Sequence, residues 1–232
     1  MHQTDHEGSG TLGKTKILLL LNKELNSTKF CMLGVEDIKD KPYSIVSLSK
    51  DGHIVELFVE LVPRDQWLPT SITPRLWQMK SGDRAIIRKE TQGIFTLDPH
   101  FKNHIMIATV TGVAPFMCIL RAHLADPDDL NRFFLFFGAR FQDELAYHEE
   151  LLELSAKHPN GLIYIATVSR PLDPRNYTWP YDYKNGFEAG RVNRVIDHYI
   201  HNGGTVFGPD INRKTTLLYA CGNGGMIGDV KE

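Results

Sequence analysis

An antiparallel β-barrel or sandwich domain followed by a parallel α/β domain is the fold class that three observations predict. From residue 16 to residue 95, short apolar segments are separated by turn signals, the pattern of a small antiparallel sheet. After Asn103 the period changes to apolar strands alternating with helical stretches, which means a parallel sheet. Residues 105–120 then read IMIATVTGVAPFMCIL: an apolar run breaks at Thr111-Gly112 and resumes after Pro115 with helical spacing. That is a strand feeding a helix through a tight turn. In an open α/β sheet such a turn sits at the carboxyl end of a strand, where backbone N–H groups and the positive end of a helix hold an anion. A nucleotide phosphate is the natural candidate.

In the first part the expected strands are residues 17–21, 30–35, 43–48, 54–62 and 84–88, with turns at Asp51-Gly52 and Ser81-Gly82-Asp83. Val55, Leu57, Val59 and Leu61 alternate as the inward face of a barrel strand should. In the second part the expected strands are 105–108, 133–137, 162–168 and 217–220, and the helices 115–124, 143–157 and 191–200. Leu145, Leu151, Leu152 and Leu154 would share one broad face of the middle helix. A domain boundary is expected within residues 98–103.

Composition bounds the function. The 232 residues are 42% hydrophobic and 23% charged, ordinary for a globular protein with two modest cores. A net charge of −2 gives no global field toward nucleic acid or anionic membrane. Cys31, Cys118 and Cys221 are far apart in sequence, so they form no zinc ribbon or cysteine-ligated cluster among themselves; free thiols in a reducing compartment are expected. The apolar run at 17–21 is too short to span a membrane, and a cytoplasmic location is expected. Residues 1–13 are polar and Gly-rich and read as a mobile start. His198 and His201, three apart on a helix, and the aromatics Trp179, Tyr181 and Tyr183 are read as surface and packing residues respectively.

Four segments in order resemble the ferredoxin–NADP reductase family of flavoproteins: KPYS at 41–44, TVTGVAPF at 109–116, GAR with EL-Y at 138–147, and YACGNGGMI at 219–227. ITPRLWQMKSGD at 72–83, VSRP at 168–171 and GRV at 190–192 add to them. The resemblance covers most of the chain from about Phe30 onward. It implies an N-terminal antiparallel β-barrel FAD domain over 14–100 and a Rossmann-like NAD(P) domain over 101–232.

The resemblance also implies roles. Lys41-Pro42-Tyr43-Ser44 is similar to the flavin signature in which a cation holds the FAD pyrophosphate, the tyrosine stacks on the isoalloxazine and the serine hydroxyl approaches N5. A flat aromatic excludes water there, and a small hydroxyl can share the proton that accompanies hydride. Lys41 stands where arginine is usual, so the charge survives and the bidentate fork does not. Thr73, expected as the N-cap before Pro74, would take flavin phosphate at a helix start. Thr111, Gly112 and Pro115 belong to the turn for the pyridine-nucleotide pyrophosphate, with Val110 in place of its first glycine; a β-branched residue resists φ > 0. Ser169 and Arg170, with Arg140 and Arg175 as further charge, would favour the 2′-phosphate of NADP over NAD. Cys221, Gly222 and Asn223 would lie beside the nicotinamide, with Cys221, Tyr43 and Ser44 as the catalytic set.

The implied activity is hydride transfer between NAD(P)H and FAD, with single electrons passed to a separate ferredoxin or flavodoxin. Arg64, Arg75 and Lys80 are candidate docking cations. The alternatives are an electron-transfer flavin subunit of a larger redox complex, or a module with weakened nucleotide binding. Two departures bear on completeness: only residues 22–29 stand where relatives have a hairpin, and the sequence stops at Glu232, where relatives continue to an aromatic that covers the flavin. An open flavin face with oxygen reactivity is the expectation if the native chain ends there.

Overall fold

The structure, a computed structural model, describes residues 14–20, 30–35, 38–61, 64–88, 95–182, 186–201, 206–208 and 210–231. Residues 1–13, Leu21, the 22–29 connection, Val62 and Tyr183 lie outside the described residues. Contacts group the chain into two compact units, one of Met1–Thr96 with Ala114–Ile119, the other of Leu97–Val113 with Leu120–Glu232.

The first unit holds β1 (Lys14–Leu20), β2 (Phe30–Val35), β3 (Ile38–Leu48), β4 (Ile54–Glu60) and β5 (Ile86–Ile87). They form one antiparallel sheet in the order β1-β4-β3-β2-β5, curled into a half barrel. Register shifts between Leu33 and Val35 and between Ile45 and Ser47 mark bulges, which increase local twist and let the sheet curl. β3 pairs with β2 up to Ser44 and with β4 from Ile45. Pro42 therefore sits where β3 has one neighbour, and its missing N–H interrupts no ladder toward β4.

Cys31, Leu33, Ile45, Val55, Leu57, Val59 and Leu76 of this core are each at most 1% exposed. Along β4 the expected alternation gives way, because Glu56 and Phe58 are buried as well; Glu56 accepts a hydrogen bond from Ser47 at 2.9 Å. The helix α1 (Thr73–Gln78) sends Leu76 into the core. It begins at Thr73 itself, with Ile72 in the cap position, αR backbone and no side-chain cap bond. Thr73 is thus the first helical residue and not the N-cap: the helix takes up the backbone one residue earlier, and the Arg75 and Leu76 N–H groups both bond Ile72 O at 3.0 Å.

In the second unit β6 (Asn103–Thr109), β7 (Arg132–Ala139), β8 (Leu162–Val168), β9 (Phe187–Ala189) and β10 (Thr216–Cys221) form a parallel sheet in the order β10-β6-β7-β8-β9. The helices of this unit are α3 (His148–Lys157), α4 (Val192–His201) and α5 (Gly224–Lys231), while α2 (Ala114–Leu124) is divided, Ala114–Ile119 grouping with the first unit and the rest with the second. The expected fold class, antiparallel β followed by parallel α/β, is the observed one. β6 and β7 are almost continuously buried, as strands covered on both faces must be. On one face Ile105, Ile107, Phe134, Phe136 and Ile165 pack with Val192, Val195 and Ile196 of α4 and with Phe207. Each fully buried phenylalanine there contributes about 2–3 kcal/mol of burial.

The expected helix over 143–157 is shorter. A 3-10 turn covers Gln142–Glu144, Tyr147 is left-handed at φ 58, and α3 starts at His148. The Glu144 carboxylate turns back to accept the backbone N–H groups of Arg140 at 3.1 Å and Phe141 at 3.4 Å, so the chain closes a local turn before it can propagate a helix. Leu145 is buried in that turn, off the helix face. β9, three residues long, and α5, with three glycines, have no readable period and were not expected.

The chain walks from β6 through β7 and β8 to β9 on one side, then returns to place β10 on the other side of β6. The strand order reverses at β6/β10, and in open α/β sheets the crevice outside the carboxyl ends of the strands at such a reversal is where ligands bind.

Candidate functional site

At the carboxyl ends of β6 and β10 two turns are pressed together. A Cβ built on Gly112 would lie 2.1 Å from Cys221 O, and one on Gly222 would lie 2.1 Å from Thr109 Oγ1 and 2.8 Å from Thr109 O. Gly222 has φ +138, open only to glycine. Thr109 Oγ1 accepts the Asn223 N–H at 2.8 Å, and Asn223 Oδ1 accepts the Gly225 N–H at 2.9 Å, capping α5. Residues 110–113 form a 3-10 turn leading into α2, where Pro115 stands in the first turn and Gly112, Val113 and Pro115 are buried. Thr111 is half-buried. Val110 has φ 51. The turn thus demands the left-handed backbone a glycine would give, and a β-branched residue adopts it at a cost of about 1–3 kcal/mol. Surroundings that fix both neighbouring turns make that strain tolerable.

Beside this switch point opens a cavity of about 500 Å3 lined by Thr109, Val110, Arg140, Ser169, Arg170 and Arg191, with Asn223, Met226 and Asp229 among the rest. Arg140 follows β7, Ser169 and Arg170 follow β8, and Arg191 follows β9. Three consecutive parallel strands therefore each deliver an exposed arginine to one cavity. Among the described residues Arg140 and Arg191 make no ion pair, and Arg170 only stands over the Phe141 ring, 5.9 Å from its centroid. Asp229, held by Asn193 Nδ2 at 2.7 Å, is the one carboxylate among the described lining residues.

In the sequence Arg191 stands in a resembling string and at the start of the expected 191–200 helix; its cavity position comes from tertiary packing. Asn176 was not singled out at all. It is fully buried; its Nδ2 donates to Arg170 O at 2.8 Å and Arg140 O at 3.2 Å, and its Oδ1 accepts the Gln142 N–H at 2.7 Å. This one side chain ties together the loops after β7 and β8. Arg175, expected as further charge, is instead committed elsewhere: Nη2 lies 2.6 and 2.7 Å from the Asp143 carboxylate oxygens, and the guanidinium stacks 3.6 Å over Phe141.

Cys221 ends β10, half-buried, and burial pushes its thiol above the ordinary value. In the first unit, Lys41 and Tyr43 lie opposite Leu33 and Cys31 in the β2–β3 ladder and share one face of β3, while Pro42 and Ser44 share the other. Lys41 and Pro42 are exposed; Tyr43 packs against the core cluster and stays half-buried. Burial first, and Cys31 second, push the Tyr43 phenol up to about 12. Among the described residues the Ser44 hydroxyl and the Lys41 ammonium make no bond, so a cation, a flat ring edge and a free hydroxyl lie within four residues. That donor set suits a flavin with its pyrophosphate. Arg64, Arg75 and Lys80 are exposed.

His201 Nδ1 lies 2.9 Å from Asp197 Oδ1, and no group of three or more His, Cys, Asp or Glu residues suited to a metal occurs among the described residues. Trp179 is buried, donating to Glu188 O at 3.0 Å, and Tyr181 donates to Pro171 O at 2.6 Å; both pack within their own unit. No helix among the described residues is long and apolar enough to cross a membrane.

Residues 106–232 match the family of the oxidoreductase NAD-binding domain. That match and the anion-friendly crevice define the class: a pyridine-nucleotide-linked oxidoreductase. The flavodoxin/ferredoxin–NADP reductase of Escherichia coli (strain K12) is 28% identical over 208 residues, 88% of this chain and 76% of that protein. Its counterpart in Buchnera aphidicola subsp. Schizaphis graminum (strain Sg) is 32% identical over 195 residues, 82% of this chain and 66% of that one. The cytochrome b5 reductase domain of Ulva prolifera nitrate reductase has the same fold, with a TM-score of 0.73 at 19% identity over 99% of this chain and 90% of that one. The chain belongs to the ferredoxin–NADP reductase family.

Proposed function

We propose that this protein is an FAD enzyme that takes a hydride from NADPH and passes electrons singly to a small carrier protein, with residues 14–100 serving the flavin and 101–232 the nucleotide. The observation that carries the reading is the convergence of Arg140, Ser169, Arg170 and Arg191 on one cavity beside the β6/β10 switch point. A 2′-phosphate met by two charge-assisted hydrogen bonds of roughly 1.5–3 kcal/mol each would favour NADPH over NADH by at least tenfold.

Bound FAD would supply the conversion between two-electron hydride chemistry and one-electron transfer. The chain's own residues do the rest. Lys41 neutralises pyrophosphate charge, with Thr73 as a further phosphate contact, and Tyr43 covers one ring face and keeps water out. The phenol is neutral at neutral pH with its ordinary pKa, and burial only widens that margin, so no charge perturbs the ring it covers. Ser44 Oγ, which makes no bond among the described residues, can relay the proton that accompanies the hydride by donating its own hydrogen and taking one from solvent. Thr111, Gly112 and Pro115 form the dinucleotide turn, while Cys221, Gly222 and Asn223 supply a narrow floor for the nicotinamide. Gly112 and Gly222 are what allow that floor to be built from backbone.

Ferredoxin or flavodoxin as the acceptor is supported by the names of the bacterial relatives, and Arg64, Arg75 and Lys80 offer an acidic carrier a cationic surface. A nucleotide-linked, carrier-coupled activity fits the cytoplasm. The test is optical: purified protein should be yellow, and NADPH added anaerobically should bleach the flavin band faster than NADH does. A colourless protein with no nucleotide-induced thermal stabilisation would sink the reading.

A further inference from the structure

The cavity in the second unit has two chemically different ends. Sheet order sets them apart: β8 and β9 deliver Ser169, Arg170 and Arg191, whereas β6 and β10, at least two strands away and so roughly 10 Å distant, deliver Thr109, Val110, Asn223 and Met226. The second end has no cationic side chain among its described lining residues, and Asp229 adds a carboxylate to the lining. The Thr109 hydroxyl is already engaged by the Asn223 N–H. Val110 lines that end beside Asn223 and Met226, half-buried and held on a left-handed backbone.

The chain on either side of Val110 has little room to rearrange. Gly112 abuts Cys221 O and Gly222 abuts Thr109 on either side of it, and a β-branched side chain has little χ1 freedom of its own. We propose that Val110 is a specificity-determining residue: its branched side chain narrows the end of the cavity that receives the nicotinamide half of the dinucleotide and weakens NADP+ binding at that end. This rests on the reading of the cavity as the NADP site. A glycine at 110 would keep the same turn without strain and open the seat; an alanine would open it in part.

The experiment is calorimetric titration of the full flavin-loaded chain, wild type, Val110→Ala and Val110→Gly, with NADP+ and separately with 2′,5′-ADP, which carries the phosphates of the adenosine half and no nicotinamide. The expected result is 2′,5′-ADP affinity constant within about twofold across all three proteins, while NADP+ tightens from wild type to Val110→Ala to Val110→Gly, by about five- to tenfold in the last. Unchanged 2′,5′-ADP binding also certifies that the variants are folded. NADP+ affinity that stays put in both variants, or moves in parallel with 2′,5′-ADP, overturns the role of Val110. Failure of the wild type to bind either ligand overturns the nucleotide site itself, and this inference with it.

Discussion

The carbonyl oxygen of Cys221 occupies the space that any side chain on Gly112 would need, 2.1 Å from where its Cβ would lie. Residues 109 positions apart in sequence thus meet backbone to backbone, and Gly222 repeats the arrangement against Thr109 Oγ1. The crevice at the strand-order reversal exists because two glycines permit this approach.

Gly112→Ala should therefore be costly, because the obstacle is backbone and not a flexible side chain. The expected loss is about 2–3 kcal/mol, a fall in melting midpoint of roughly 5–10 °C by differential scanning fluorimetry. Gly228→Ala is the contrast. A Cβ there meets nothing within 4 Å, it lies within α5, and the substitution should stabilise by about 0.5–1 kcal/mol.

Nucleotide preference should follow the arginines that reach the cavity. Arg170→Ala and Arg191→Ala are each expected to lower kcat/KM for NADPH about tenfold or more while leaving NADH within about twofold. Arg175→Ala should leave the NADPH/NADH ratio unchanged, since that guanidinium is spent on Asp143 and Phe141. Steady-state rates with both nucleotides and an artificial acceptor measure this. A ratio that falls in Arg175→Ala as far as in Arg170→Ala would contradict the assignment.

The order of the two folds was legible because periodicity is local: alternation before Phe95 and strand–helix alternation after Asn103 are visible within windows of a dozen residues. The turn at Thr111-Gly112 was legible for the same reason. Asn176 was not, because nothing near Asn176 in the sequence reveals that it bonds carbonyls at Arg140 and Arg170. The break before α3 depends on Glu144 folding back on Arg140 and Phe141, a choice that helix propensity does not encode. Val110 carried a local warning, a β-branched residue where glycine is usual, and the positive φ shows that tertiary packing overrode its preference.

Stability should fall in mild acid. Burial lowers the pKa of His104 and of His148 below the ordinary 6.5, so below that pH the unfolded chain takes protons that the folded chain refuses. The contribution is fully present above pH 6.5 and is lost as pH falls from there toward the folded-state values, by up to about 1.4 kcal/mol per pH unit for each group. Urea unfolding at pH 7.5, 6.0 and 5.0 should show this decline. His104→Phe should flatten it, since His104 already stacks on Phe133, its Nδ1 has no partner among the described residues, and only the Nε2 contact to Asn131 Oδ1 at 3.2 Å is given up. An equally steep decline in that variant would remove His104 from the account.

The three thiols should separate by reactivity, because burial acts on both access and thiolate fraction. Cys31 is fully buried with its pKa pushed up to about 11, so roughly one molecule in a thousand is thiolate at pH 8. Cys118 is 6% exposed on α2. Cys221 is half-buried at the open end of β10, its thiol also raised by burial. With iodoacetamide at pH 8, peptide mass mapping should find Cys221 carboxamidomethylated first, slowly for a cysteine, and Cys31 last. NADP+ should slow Cys221 alone, because only that thiol stands beside the switch-point turn, next to Gly222 and against Gly112. Equal protection of Cys118 would point to general stiffening by the nucleotide, and no protection at Cys221 would place the nicotinamide elsewhere.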